Sequence, residues 1–190
     1  MDLTTITPTL QALRALSHPV RLRMLGLLRS EGPATATTLA ARLGLNTGAT
    51  SYHLRQLAQH GFIVDDEERG NARDRWWKAA HRSTNTVPAD DPDTQAAQDA
   101  FLRAVAVVHA EQMQRAVEEV ELLPAPWRRA STASDWALRL TPRRAQALVE
   151  ALEAMVDGAE EDDGDPDAGE FVVMLHAFPR PGTVTGEPRR

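Results

Sequence analysis

The chain has 190 residues, no cysteine and a formal net charge of −6 at pH 7. Its hydrophobic fraction of 42% is enough for a packed core, which excludes a wholly disordered chain. The absence of cysteine excludes disulfides, thiolate metal sites and cysteine nucleophiles together.

Two helices are predicted before residue 34. Leucines at helical spacing predict the first over 9–16. The second begins at Pro19, because a proline loses nothing at the first helical position, and Ser17 or His18 is its cap. The Gly-Pro pair at 32–33 ends it.

A second pair of helices follows after a short break. Thr37 caps a helix that runs to Leu43, and Gly44 ends it in the left-handed conformation. Asn46 is a favourable cap for a helix that runs to about His60. Two helices joined by so short a turn indicate a helix-turn-helix.

A β-hairpin is predicted directly after these helices. Apolar residues over 62–64 begin a strand, 65–74 form a charged loop, and 75–78 form the return strand. A hairpin in this position is the wing of a winged helix-turn-helix, a module that lays one helix in the DNA major groove. We therefore predict a DNA-binding domain over 1–81.

The rest of the chain is predicted to be a small α+β region over 94–190, behind a linker at 82–93. A helix over 94–123 contains no glycine or proline, and Pro124 ends it. The later pattern predicts a strand over 136–140, a helix over 141–156, an acidic loop over 157–170 and a strand over 171–178. The predicted fold class is mainly α with a small β component.

Charge divides the chain in the same way. Residues 1–87 hold 11 Arg and Lys against 7 Asp and Glu, whereas residues 88–190 hold 10 against 20. A cationic first half and an acidic second half suit a DNA-facing module joined to a partner-facing one. The alternative for the second half is an acidic surface that serves solubility.

Polar residues on the fourth helix are the candidate DNA readers, because their side chains or backbone suit close contact with base edges. They are Thr47, Gly48, Ser51, Tyr52 and Arg55. The alternative is an ordinary polar helix face. His53 lies among them and is interpreted as a side chain packed beside the groove.

Arginines of the wing are the candidate backbone contacts: Arg69, Arg73 and Arg75. Five acidic residues lie close to them in the chain, so the hairpin as a whole is acidic. Either the arginines project at the tip while the carboxylates face away, or the wing binds DNA poorly. Arg75 has a second interpretation, as a strand residue packed near the tryptophans.

The long helix carries an apolar stripe that needs a covering surface. We expect it to form a homodimer contact through Phe101, Val105, Val108, Val117 and Val120. The alternative is packing against the C-terminal region of the same chain.

Residues 10–80 resemble the ArsR-type winged helix-turn-helix repressors. The similarity lies in His18-Pro19-Val20-Arg21-Leu22 with Leu25, in Leu39-Ala40 with Leu43-Gly44-Leu45, and in Ser51-Tyr52-His53-Leu54-Arg55 with Leu57 and Gly61-Phe62-Ile63. The resemblance implies a dimeric repressor that reads the major groove of double-stranded DNA with residues 47–55.

The chain departs from that family in its metal ligands. Members sense metals through cysteines near the third helix or through Asp, His and Glu on the dimer helix. Here the one histidine of the long helix is His109, with Glu111 near it, and one histidine does not make a zinc site. We expect no metal and no cofactor.

Other functions are weighed against DNA binding. No catalytic Ser/His/Asp set, phosphate-binding glycine loop or paired carboxylate site appears, so we do not expect an enzyme. The rival hypothesis is a protein-interaction scaffold that works through the acidic half. A small apolar effector could be enclosed between subunits by the aromatic and apolar residues of the C-terminal region, or these residues could simply serve dimerisation: Trp127, Trp136, Phe171, Met174 and Phe178. The chain shows no signal peptide or apolar span, so a soluble cytoplasmic protein is expected.

Overall fold

A computed structural model describes residues 5–69, 74–86, 89–162 and 164–184. The described part is mainly helical with a small β component, as the sequence predicts. Its strands form two small sheets. Two units are distinguished, Met1–Leu123 and Pro124–Arg190. The long helix falls in the first of them, whereas the sequence grouped it with the C-terminal region.

The helices are α1 (Leu10–Leu16), α2 (Pro19–Ser30), α3 (Ala36–Leu43), α4 (Thr47–Gln59), α5 (Pro92–Glu119), α6 (Ala125–Ala130) and α7 (Pro142–Asp157), with a 3-10 turn at Val120–Leu122. The strands are β1 (Thr5–Ile6), β2 (Ala34–Thr35), β3 (Ile63–Asp65), β4 (Trp76–Ala79) and β5 (Ser83–Thr84). All six predicted helices are present, and α6 is an addition. No described helix combines the length and the apolar character needed to cross a bilayer.

Side-chain caps start the first two helices where the sequence places them. The Thr9 hydroxyl accepts a hydrogen bond from the Ala12 N–H at 3.3 Å. For α2 the cap is His18, whose Nδ1 accepts from the Val20 N–H at 3.2 Å. Each cap satisfies a backbone donor that the helix itself leaves unpaired.

The third helix begins earlier than the sequence indicates. Its cap is Thr35, whose Oγ1 accepts from the Thr38 N–H at 3.1 Å, and not Thr37. The physical reason is long-range: Ala34 and Thr35 pair as β2 with Trp77 and Trp76 of β4, and the helix follows at once. That pairing is not visible in the local pattern.

The turn between α3 and α4 depends on one glycine. Gly44 adopts φ of 64° and ends α3, and its N–H donates to the Ala40 carbonyl. A left-handed residue here turns the chain sharply. Asn46 then caps α4, with its Oδ1 accepting from the Ala49 N–H at 2.8 Å, so the predicted helix-turn-helix is confirmed.

The wing is a three-stranded sheet in the order β2-β4-β3. β3 and β4 are antiparallel, with Ile63 opposite Ala79 and Asp65 opposite Trp77. Trp77 is buried, whereas Trp76 is half-buried. Residues 70–73 of the predicted charged loop lie outside the described residues.

The predicted linker contains a short strand. β5 pairs in parallel with β1 near the amino terminus of the chain. Arg29 of α2 holds this segment, because its guanidinium donates to the His81 carbonyl and to the Thr84 hydroxyl, both at 2.9 Å. Burial lowers the pKa of Arg29 to about 10.

The amino-terminal half of α5 packs against α1 and α2 of its own chain. Phe101 and Val108, expected at a dimer contact, are therefore buried within the first unit, and Val105 is half-buried. Val117 and Val120 are exposed, at 62% and 38%. The surface open to a second copy is thus narrower than the sequence suggested, because α1 and α2 cover the first half of the stripe.

The core lies in the first unit, where α1, α2, α3, α4, the wing and α5 meet. Its largest fully buried side chains are Phe62, Leu16, Met24, Leu25, Leu39, Leu54, Leu57 and Ile63. These residues come from every predicted element between residues 10 and 65. Their burial sets the orientation of α4.

Two predicted strands are wrong. Residues 136–140 and 171–178 are not paired into a sheet. Trp136 and Phe178 are 80% and 73% exposed. An alternating or apolar run predicts a strand, but the strand forms only where a neighbour completes its hydrogen-bond ladder.

Candidate nucleic-acid interface

One face of α4 is fixed by the core. Thr50, Leu54 and Leu57 are each fully buried, and the Thr50 hydroxyl donates to the Asn46 carbonyl at 3.1 Å. A helix buried on one side presents its other side outward. The cap and the buried stripe together hold α4 with its opposite face free.

The predicted readers lie on that outward side. Thr47, Gly48 and Arg55 are exposed, Tyr52 is 52% exposed, and Ser51 is half-buried. Ala49 is half-buried on the inner side. The face therefore offers hydroxyls, a guanidinium and one residue without a side chain, which suits close approach to base edges.

A groove of about 280 Å³ runs beside this face. It is lined by Thr35, Ala36, Thr37, Ser51, Arg55, Asp74, Arg75 and Trp77. The groove brings together readers from α4 and an arginine from the wing, which are distant in the sequence. It also adds the hydroxyls of Thr35 and Thr37. Sequence reasoning considered Thr37 only as a cap and gave Thr35 no role.

The two arginines that line the groove differ in whether a carboxylate neutralises them. Within the described residues no carboxylate pairs with Arg55. Arg75 is paired, because its Nε lies 2.5 Å from Asp65 Oδ2 and its guanidinium 4.1 Å from the centre of the Trp77 ring. Arg55 is thus a cation available to an anion from outside.

The remaining described wing cations share one buried carboxylate. Asp66 is 4% exposed. It accepts from Lys78 Nζ at 2.9 Å and lies 3.7 Å from Arg69 Nε. The hydrogen bond with Asp66 raises the pKa of Lys78. Arg73 lies outside the described residues.

The other flank of α4 contacts α2. The rings of His53 and His18 lie 4.7 Å apart between centroids, and the Tyr52 ring lies 5.4 Å from that of His53. Burial, His18 and Arg21 lower the pKa of His53. Sequence reasoning placed His53 beside the groove but gave Arg21 no role, although Arg21 belongs to the quoted family pattern.

The aromatic residues of the second unit are only partly brought together. Trp127 stacks near Phe171 with centroids 6.3 Å apart, and Met174 is half-buried. Trp136 and Phe178 are exposed.

Comparison with known families agrees with the helix-turn-helix geometry. Residues 16–65 match the helix-turn-helix domain family. These residues, with the hairpin that completes them, form a winged helix, and such a domain supports a DNA-binding regulator. No curated protein matches the chain.

Several solved structures are similar to the chain. One is a possible transcriptional regulator for arsenical resistance, 24% identical over 56% of this chain and 96% of the other, with a TM-score of 0.34. A ZitR mutant from Lactococcus lactis in its apo form is 14% identical over 74% and 82%, with a TM-score of 0.33. The adhesin competence repressor AdcR from Streptococcus pyogenes is 14% identical over 73% and 81%, with a TM-score of 0.33.

Proposed function

We propose that this protein is a dimeric, sequence-specific transcriptional repressor of the ArsR type that works in the cytoplasm. Helix 46–60 reads the major groove, and wing 62–78 contacts the neighbouring backbone. The observation that carries this proposal is the outward face of α4, where Arg55 has no carboxylate partner among the described residues. An exposed cation beside a groove matches the charge of duplex DNA.

The face of α4 supports direct reading of bases. Arg55 can donate two hydrogen bonds to a guanine edge, and Ser51 and Thr47 can donate or accept. Tyr52 adds a hydroxyl on an exposed ring. Gly48 allows the backbone to approach the groove, because it presents no side chain.

The wing contributes contacts to phosphates through Arg69, Arg73 and Arg75. The ion pairs of Arg69 and Arg75 do not prevent this role, because both arginine side chains are 60% exposed. The Arg75–Asp65 pair is open to solvent on both sides and contributes about 0–1 kcal/mol, so exchanging Asp65 for a phosphate costs little. The buried carboxylate of Asp66 keeps its hydrogen bond from Lys78 when Arg69 turns to a phosphate.

Dimerisation supports recognition of two half-sites that mirror the protein's symmetry. The exposed apolar residues Val117 and Val120 of the α5 end are proposed to face the second copy. Phe101, Val105 and Val108 hold the helix to the DNA-binding part of the same chain. The second copy would present its own α4 to the second half-site.

The first test is DNA selection. The full-length protein would be incubated with a random-sequence duplex library, and the enriched site measured by fluorescence anisotropy at several salt concentrations. We expect a palindromic site and a log affinity that falls linearly with log salt. Arg55→Ala should cost about 1–3 kcal/mol on that site.

Arg103→Ala is the matched control, since it removes an exposed arginine from α5, outside the proposed interface. Equal losses for both variants would contradict the reading role of Arg55. Absence of enrichment together with a flat salt response would contradict DNA binding and favour the scaffold hypothesis.

A further inference from the structure

Four side chains meet where α2 contacts the middle of α4. His18 and His53 are in ring contact at 4.7 Å, and Tyr52 lies against His53 at 5.4 Å. Arg21 acts electrostatically on both histidines and on Tyr52. The cluster formed by His18, Arg21, Tyr52 and His53 is called the α2–α4 cluster.

The α2–α4 cluster contains two polar atoms with unmet hydrogen-bonding capacity. Arg21 Nε and His53 Nδ1 are shielded from solvent and have no hydrogen-bond partner within the described residues. A buried polar atom without a partner costs free energy that a suitable acceptor would recover. Arg21 is half-buried, so part of the residue is open to a ligand from outside.

The charges around the α2–α4 cluster are cationic. On α2, Arg21 has no carboxylate partner in the described part of the chain, whereas Arg23 is neutralised by Glu111 of α5. On α4, the neighbouring titratable group is the phenol of Tyr52. The missing counterpart of this cluster is therefore an anion with several acceptor oxygens.

The position of the α2–α4 cluster relative to the reading face follows from helix geometry. Successive residues turn by about 100° around a helix, so His53 lies on the flank opposite Ser51, with Tyr52 between them. Ser51 lines the groove beside the wing. The cluster therefore lies on the other side of the reading face from that groove.

We propose that Arg21 and His53 bind a backbone phosphate of DNA on this second flank and that His53 takes up a proton when the phosphate binds. The inference rests on the proposed DNA-binding function. Two phosphate contacts, one on each flank, would hold α4 in the major groove by its edges, as contacts to the backbone generally fix register and orientation.

We place the proton on His53 because the nitrogen of His18 that could take it already accepts a hydrogen bond. His18 Nδ1 accepts from the Val20 N–H, so protonating that nitrogen would remove the cap of α2. Burial and the nearby His18 and Arg21 lower the pKa of His53 in the free protein, which keeps it neutral at pH 7. A phosphate supplies negative charge and raises that pKa, so affinity for DNA increases as pH falls toward about 6.

The test uses a fluorescently labelled random-sequence duplex at low salt, since a phosphate contact does not depend on sequence. Wild-type affinity should rise several-fold between about pH 8 and about pH 6. His53→Gln should remove that rise. Arg21→Ala should reduce the magnitude of the salt slope by about 0.9, the value for one phosphate contact, and Arg21→Lys should restore it.

His60→Gln is the control, because His60 ends the same helix outside the cluster, and it should keep the rise with falling pH. Circular dichroism establishes that each variant is folded. If Arg21→Ala unfolds, the pH responses of the wild type and of His53→Gln still test the phosphate site. A wild-type affinity that is equal at both pH values, or a rise that His53→Gln retains, overturns the phosphate site while DNA binding stands. A wild type that binds no duplex at either pH overturns both proposals.

Discussion

Arg23 of α2 and Glu111 of α5 form a bidentate ion pair, although 88 residues separate them in the chain. Arg23 Nε donates to Glu111 Oε2 at 2.8 Å, and Nη2 donates to Oε1 at 2.6 Å. The hydrogen bond lowers the pKa of Glu111 and raises that of Arg23. The pair fastens the long helix to the helix that supports α4, so a displacement of one would be transmitted to the other.

Glu111→Gln should lower the free energy of unfolding at pH 7 by no more than about 1 kcal/mol, because the two side chains are 43% and 28% exposed. Since the folded state lowers the carboxyl pKa, this contribution is complete above its ordinary value of 4.5 and disappears as pH falls through the lowered value. Urea unfolding at several pH values measures it. Glu119→Gln on the same helix is the control. An equal loss of stability there would show that the effect comes from the change in net charge and not from the ion pair.

Asn46→Ala should destabilise the protein by about 1 kcal/mol, because the Ala49 N–H loses its side-chain acceptor at the start of the reading helix. DNA affinity should fall as well, since the first turn of α4 carries Thr47 and Gly48. Thermal unfolding and anisotropy measure the two effects. Asn46→Asp keeps a capping oxygen and should keep the stability. A stable alanine variant would contradict the cap's contribution.

Two glycine substitutions should have opposite effects. Gly44→Ala places a side chain at φ of 64° and should cost about 1 kcal/mol. Gly26 lies inside α2, has ordinary helical backbone and has open space around its Cα. Gly26→Ala should therefore stabilise the protein by about 0.5–1 kcal/mol. Chemical denaturation of the two variants measures the change in the free energy of unfolding. A change of the same sign in both would contradict the requirement for glycine at position 44.

Val117→Asp should dissociate the proposed dimer without unfolding the protein, because Val117 is 62% exposed within one chain. The charge would be buried at the contact between the two copies and is costly there. Sedimentation at several concentrations measures the mass, and circular dichroism measures the folded fraction. Leu102→Asp is the matched control, since Leu102 is 54% exposed on the same helix outside the predicted set. A wild type that sediments as a monomer would defeat the dimer proposal itself.

Local signals in the sequence determined most of the first unit. Pro19, Gly44 and Asn46 mark helix ends because each has a conformational or capping preference that acts within a few residues. The outward face of α4 followed from the same logic, since the spacing of Leu54 and Leu57 indicates which side is buried.

Only the tertiary structure decided the features that depend on distant partners. Thr35 caps α3 because β2 pairs with β4, and Phe101 is core because α1 and α2 cover it. The predicted strands at 136–140 and 171–178 lack a pairing neighbour in the described chain. Arg21 comes close to His53 only through the packing of α2 on α4. Caps and periodicity are short-range and can be read from neighbouring residues, whereas pairing and burial arise from contacts between segments far apart in the chain.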